Sequence, residues 1–243
     1  MEWQDDAIVL SGRPHGDTGT IVELFTRDHG RHLGLVRGRR SIAGVVQPGN
    51  LVRAVWRARL ADHLGTYRLE LVRARIGALM DDADALTALR SLCALAAATL
   101  PEREPHAGLF EATSVVVDHL TSGAGTWPAL LVRWELGLLE ELGYGLDLTA
   151  CAVTGARDDL VYVSPRTGRA VSRPAGAELA DRLLRLPQFL LGSQAGQPDR
   201  DEIAAGFRLT GHFLTMHLQT LHGKGLPAAR LELAARFRSS STL

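Results

Sequence analysis

Lysine is almost missing from this chain. It occurs once, at Lys224, against 26 arginines. Part of the arginine content therefore reflects a lysine-poor composition, and only the placement of the arginines carries information. Cysteine is as scarce. Cys93 and Cys151 form no recognisable disulfide framework, which fits a reducing, cytoplasmic compartment. There is no run of eighteen apolar residues, so no membrane span is expected. The opening Met1-Glu2-Trp3-Gln4-Asp5-Asp6 is acidic where an export signal is basic. Catalytic signatures are missing too. There is no His-Glu-x-x-His, no complete Gly-x-x-x-x-Gly-Lys-Ser/Thr loop, no Gly-x-Ser-x-Gly elbow and no kinase set. The sequence gives no support for an enzyme.

What is present is a charge asymmetry. Residues 1–80 hold 12 arginines and 8 carboxylates, a net +4. Residues 81–243 hold 15 cations and 19 carboxylates, a net −4, on a chain of zero overall charge. The contrast is sharpest over 27–75, where 11 arginines face only Asp28, Asp62 and Glu70. This basic region reads as five short strands: Ala7–Arg13, Thr18–Thr26, Arg31–Arg37, a fourth after Gln47-Pro48-Gly49-Asn50, and Thr66–Arg75. In the fourth, Val52, Ala54, Trp56 and Ala58 alternate with Arg53, Val55, Arg57 and Arg59. That pattern puts Trp56 in a core and the arginines on the opposite face. Five strands with one basic face fit a small closed barrel of the OB type, although another small barrel or a half-sandwich satisfies the periodicity equally.

Beyond Gly77 the period changes. Asp81-Asp82-Ala83-Asp84 caps a helix running to about Leu100, ended by Pro101. Helices follow over His106–Leu120, from Thr126 to Gly143, and then over Ala177–Leu186, Ile203–Leu221 and Pro227–Phe237. Residues 145–176 are irregular apart from a β-like Leu160–Val163. The reading is thus α+β: an OB-fold nucleic-acid-binding domain over 1–79, and an all-α domain over 80–243 interrupted by the 145–176 insertion. A basic all-β module joined to an acidic remainder suggests nucleic-acid binding.

These residues resemble a known family, the bacterial recombination mediator RecO. Trp3, Ala7-Ile8-Val9-Leu10, Arg13, Gly16, Phe25-Thr26, Gly30, Val36-Arg37-Gly38-Arg39-Arg40, Gln47-Pro48-Gly49 and Glu70 carry the N-terminal match. Glu141-Leu142-Gly143-Tyr144, Cys151, Gly223-Lys224-Gly225-Leu226-Pro227 and Arg230 carry the rest. The resemblance implies an N-terminal OB fold and a helical C-terminal domain. It implies a nucleoid-associated DNA repair and recombination mediator that binds single- and double-stranded DNA and anneals complementary strands. It also implies that RecA is loaded onto DNA coated by the single-stranded-DNA-binding protein SSB, with RecR as partner. Many members carry a four-cysteine zinc site. Here the corresponding pairs are Cys151-Ala-Val-Thr154 and Ser172-Arg-Pro-Ala175, so one thiolate of four remains, the insertion is a degenerate zinc finger, and zinc is not expected.

Six arginines, Arg37, Arg39, Arg40, Arg53, Arg57 and Arg59, are the candidate phosphate contacts. The alternative is a solvated face balanced by local carboxylates, against which the excess of 11 over 3 argues. Arg208 and Arg230 are candidates for holding the acidic, apolar SSB tail that the resemblance implies. Their alternative is a surface ion pair with Glu232 or Asp201. His212, His217 and His222 are five residues apart, which spreads them round a helix by about 140° per step and disfavours a metal site. Cys93 lies in an apolar helix interior and reads as core. Other functions consistent with the chain are a single-stranded RNA-binding OB protein, or a hydrolase with an unrecognised site.

Overall fold

The computed structural model describes residues 1–38, 41–60, 62–123, 125–192 and 197–238, without the side chains of 221 and 222. The chain forms two compact units, Met1–Ala124 and Gly125–Leu243. The sequence reading ended the first domain at residue 79. In the structure the first two helices fall in one unit with the strands: the first packs on the first strand, and the second packs on the first helix and meets the barrel through Phe110 against Phe25.

Five strands make a closed barrel in the order β1-β2-β3-β5-β4: β1 (Glu2–His15), β2 (Gly19–Thr26), β3 (Gly30–Arg37), β4 (Leu51–Arg57) and β5 (Thr66–Arg73). β1 runs five residues earlier than its apolar alternation suggests, because Glu2 to Asp6 pair along β4, from Glu2 opposite Arg57 to Asp6 opposite Arg53. Alternate residues fill the interior: Ala7, Val9, Val22, Leu24, Val36, Val52, Ala54, Trp56 and Tyr67. Trp56 is thus core, as its alternation requires, and its indole N–H donates to the Leu64 carbonyl at 3.0 Å, fixing the β4–β5 loop. β3 and β5 meet at one parallel bridge, Leu35–Thr66.

His32 lies in this interior, 3 % exposed, with its ring edge-on to Trp3 and Trp56. Its Nδ1 is 3.0 Å from the Leu33 carbonyl and 3.1 Å from the Tyr67 hydroxyl. Burial pushes its pKa down to about 4. A histidine whose folded pKa is lowered takes up its proton preferentially when unfolded. Stability is therefore whole above the unfolded value of about 6.5 and falls as pH drops toward 4, by at most about 1.4 kcal/mol per pH unit. Denaturant titrations at pH 7 and pH 5 should show this loss in the wild type and a smaller loss in His32→Phe. Equal pH dependence in both would place the acid sensitivity elsewhere.

Helix α1 (Ala83–Thr99) begins where expected: Asp82 accepts from the backbone N–H groups of Asp84 and Ala85 at 3.0 and 2.9 Å. It packs on β1, and Cys93, buried at 3 % exposure, donates to the Val9 carbonyl with its pKa pushed up to about 12 by burial. Helix α2 (Ala107–Thr121) is held by Arg75, itself 1 % exposed, which donates to Ser114 at 3.0 Å and Asp118 at 2.8 Å.

In the second unit α3 (Trp127–Glu141) and the long α5 (Arg200–His222) pack together, and α6 (Ala228–Arg236) follows a left-handed Gly223 and Pro227. Thr126 stands at the start of α3 but makes no capping bond. The insertion is more ordered than expected: β6 (Leu160–Val163) forms a three-stranded sheet with β7 (Ala170–Ser172) and β8 (Leu184–Arg185). The predicted helix over Ala177–Leu186 is instead a 3-10 segment, Ala177–Arg182, after a single turn α4 (Arg173–Gly176). Pairing of Tyr162 with Arg185 and Val163 with Leu184 draws its end into the sheet, and Pro187 prevents return to helix.

Candidate nucleic-acid interface

The barrel register gathers three segments at one end. Gly19 of β2 stands opposite Arg37 of β3, Leu35 bridges Thr66 of β5, and Thr66 stands opposite Arg57 of β4. The β1–β2 turn, the end of β3 and the β4–β5 loop therefore lie together. The Gly38 N–H bonds to the Thr18 carbonyl at 3.0 Å and ties the first two. Across this end one row of outward residues runs Arg13, Ile21, Leu35, Thr66, Arg57.

The twelve arginines of this region divide into distinct groups. Arg27 pairs with Glu111 at 3.2 Å, Arg31 with Glu23 at 2.6 Å, and Arg73 and Arg75 both with Asp118. Arg53 pairs with Asp6 at 3.3 Å and Arg57 with Glu2 at 2.7 Å. The Arg57 hydrogen bond holds the Glu2 carboxyl below the usual carboxylate range. Arg13, Arg37, Arg59 and Arg68 have no ion pair among the described residues. Arg39 and Arg40 lie outside the described residues.

Of the six arginines expected to meet phosphate, Arg37 and Arg59 are exposed and unpaired at the gathered end, as a phosphate contact requires. Arg53 and Arg57 are exposed, but β1 brings a carboxylate to each, so their face is closer to neutral than local counting indicated. Such exposed pairs are worth only about 0–1 kcal/mol, so an incoming phosphate competes with them readily. Arg13, exposed at the same end and without an ion pair among the described residues, was not among the arginines singled out from sequence. Its signal was available, since it ends the first apolar strand opposite the β-branched second one.

The two arginines assigned to the acidic tail differ sharply. Arg208 is exposed on α5. Arg230 is 1 % exposed, and this corrects the sequence expectation. Its guanidinium donates to both oxygens of buried Glu135 at 2.5 and 2.8 Å, and to the Phe207 carbonyl at 2.9 Å, and it stacks over the Phe207 ring. It is committed to joining α3, α5 and α6, with none of the surface partners considered from sequence. His212 bonds to the Pro165 carbonyl and His217 packs edge-on against Tyr144.

The insertion brings Cys151 together with Ser172 and Thr154, two of the positions that the resemblance aligns with zinc ligands. Cys151 is 2 % exposed, and its Sγ accepts from the Ser172 N–H at 3.3 Å and hydroxyl at 3.4 Å. Burial pushes this thiol up, but hydrogen bonds from Ser172 and Thr154 outweigh it and bring the pKa down to about 6. Hydroxyls that donate to the sulfur, and Ala175, which has no donor atom to offer, do not fit a structural zinc ion. No group of three or more metal-ligating side chains occurs among the described residues. Metal analysis of the purified protein should find zinc far below one per chain; near-stoichiometric zinc lost on Cys151→Ser would refute this.

A five-stranded closed barrel joined in sequence to a helical unit, with exposed Arg13, Arg37 and Arg59 at one end of the barrel, defines a protein of the OB-fold class. Residues 1–75 match the family model "Recombination protein O N terminal" and residues 80–226 match "Recombination protein O C terminal". The DNA repair protein RecO of Rhodospirillum centenum is 53% identical over 246 residues, covering 100% of this chain and 97% of that protein. That of Rhodospirillum rubrum is 49% identical, covering 98% and 97%, and that of Rhizobium etli CIAT 652 is 52% identical, covering 95% and 90%. The chain belongs to the RecO family of DNA repair proteins. Among the described residues no helix is long and apolar enough to cross a membrane.

Proposed function

We propose that this chain is a non-enzymatic recombination mediator that binds single- and double-stranded DNA, anneals complementary strands, and assists RecA loading on SSB-coated DNA together with RecR. The observation that carries this reading is the gathering of unpaired, exposed Arg37 and Arg59, with Arg13, at one end of the barrel. Cations without internal partners bind phosphate at the least cost, and holding two strands on one basic surface offsets their repulsion and raises their effective concentration. Arg39 and Arg40 extend the same segment in sequence. Location with the nucleoid follows from DNA binding. Arg208 is the remaining candidate for the SSB tail, as an exposed cation between apolar Phe207 and Leu209 on α5.

Annealing of complementary oligonucleotides coated with SSB tests the reading, with matched RNA oligomers as the comparison. Faster annealing of DNA supports it. Preference for RNA supports the single-stranded RNA reading, and no effect on either sinks both. The residues are tested through salt dependence. On single strands log affinity falls with log salt at roughly −0.7 per phosphate contact. Arg37→Ala with Arg59→Ala should lower the slope by about 1.4 and the affinity by about tenfold or more near 0.1 M salt. The double Arg39→Ala, Arg40→Ala variant should act in the same direction. Arg57→Ala should do somewhat less, because a phosphate there must first displace Glu2 from the guanidinium. A folded Arg37/Arg59 variant with unchanged slope would remove these residues from the site.

A further inference from the structure

The gathered end continues onto a face made by β1, β4 and β5. β4 lies between the other two, and the pairing sets their outward residues in three rows: Glu2, Arg57 and Thr66; Gln4, Val55 and Arg68; Asp6, Arg53 and Glu70. Trp3, Ala54, Trp56, Tyr67 and Leu69, which alternate with them, turn inward to the core. The first two rows line a hollow of about 480 Å³, inside the range of roughly 300–1,000 Å³ found for small-ligand sites. Val55 is half-buried and forms an apolar floor, and the other five side chains of these two rows are exposed.

The groups around this floor are those that a single nucleotide needs. Gln4 and Arg68 flank Val55, one on each neighbouring strand. Arg68 has no ion pair, and the Gln4 amide no hydrogen bond, among the described residues, so both are available to a ligand. A guanidinium takes a phosphate, an apolar floor takes the face of a base, and an amide offers its edge both a donor and an acceptor. Charge sets the direction in which a strand leaves. The first two rows hold Arg57 and Arg68 against Glu2, a net +1, whereas the third holds Arg53 against Asp6 and Glu70, a net −1. A phosphate chain therefore runs from the hollow past Thr66 and Arg57 toward the gathered end, and not across Asp6 and Glu70. A base reaches Val55 only when it is unpaired, because inside a duplex its face is stacked and its edge is bonded.

We infer that the outer face of β1, β4 and β5 holds one unpaired nucleotide of single-stranded DNA, with Arg68 on its phosphate, its base on Val55 and Gln4 at the base edge. This rests on the proposed DNA-binding function and adds to it a site that tells single strands from duplex. Glu2 is a resident competitor there: its carboxylate, 2.7 Å from Arg57, occupies the second guanidinium of the hollow until a phosphate displaces it.

Equilibrium binding of the full chain to a labelled oligothymidine and to a duplex of equal length, over a range of salt, tests it. Arg68→Ala should lower the log–log salt slope on the single strand by about 0.7 and its affinity by about threefold or more, with duplex affinity unchanged. Glu2→Gln should act the other way and raise single-strand affinity by about twofold or more, a gain that a misfolded variant does not produce. The wild type should also prefer oligothymidine to an abasic strand of the same length, and Gln4→Ala should narrow that preference. Single-strand affinity unchanged in Arg68→Ala would overturn the inference. So would equal losses on single strand and duplex, which would make Arg68 a general phosphate contact. In both cases the proposed function stands, since the wild type still binds DNA. A wild type that binds neither DNA would overturn the function and the inference together.

Discussion

Arg230→Met is expected to destabilise the C-terminal unit by about 3–5 kcal/mol. The change removes the cation that faces Glu135, a carboxylate with no exposure, and leaves that charge buried without its partner. Thr210 also donates to Glu135, but a hydroxyl cannot replace a guanidinium that contributes two charge-assisted bonds. The effect should be specific to the arrangement rather than to arginine. Glu135→Leu combined with Arg230→Met fills the same space with apolar groups and should recover most of the loss, since a buried ion pair and a well-packed apolar substitute are often close in energy. Calorimetry of the single and double variants decides this. A single variant that melts like the wild type while failing to bind an SSB tail peptide would return Arg230 to the partner site suggested by its place in sequence.

Gly30→Ala is expected to cost the first unit about 2–5 kcal/mol, combining left-handed backbone strain with overpacking. Gly30 opens β3 at φ +66°, and a Cβ there would overlap the backbone of Glu104. The neighbouring segments are fixed by the Arg103 N–H bond to the Arg31 carbonyl at 2.8 Å and by the Arg31 guanidinium on the Leu100 carbonyl at 2.7 Å. Neither chain can retreat without breaking these bonds. Gly16→Ala is the matched control: φ is +58°, but nothing lies within 4 Å, so only the backbone strain remains and the loss should be smaller. Equal losses at the two sites would show that the close approach at Gly30 relaxes freely.

Much of the architecture was legible because it rests on local periodicity. Alternation along Leu51–Arg57 assigned Trp56 to the core and Arg53 and Arg57 to the surface, and burial follows that pattern. Asp82 marked a helix start through capping chemistry that acts within a few residues. The family was legible for a similar reason, since ordered short motifs survive without reference to distant contacts. The errors came where a segment takes its structure from a remote partner. The segment after Ala177 has helical composition but ends as a strand, because β6 offers it an edge. Residues 2–6 look too polar for a strand, yet β4 pairs with them along their length.

The sequence by itself determined that this is a basic barrel followed by helices, and that the chain is of the RecO type. Only the tertiary structure decided which arginines are free. Counting charges over 27–75 finds three carboxylates, but Glu2, Asp6, Glu23 and Asp118 arrive from outside that window and take Arg57, Arg53, Arg31, and both Arg73 and Arg75. Likewise Arg230, polar and just after the break between α5 and α6, is drawn inward by a glutamate 95 residues away. Charge interacts through space and falls off over several ångströms, whereas a sequence window measures separation along the chain, so the pairing of charges is decided by the fold.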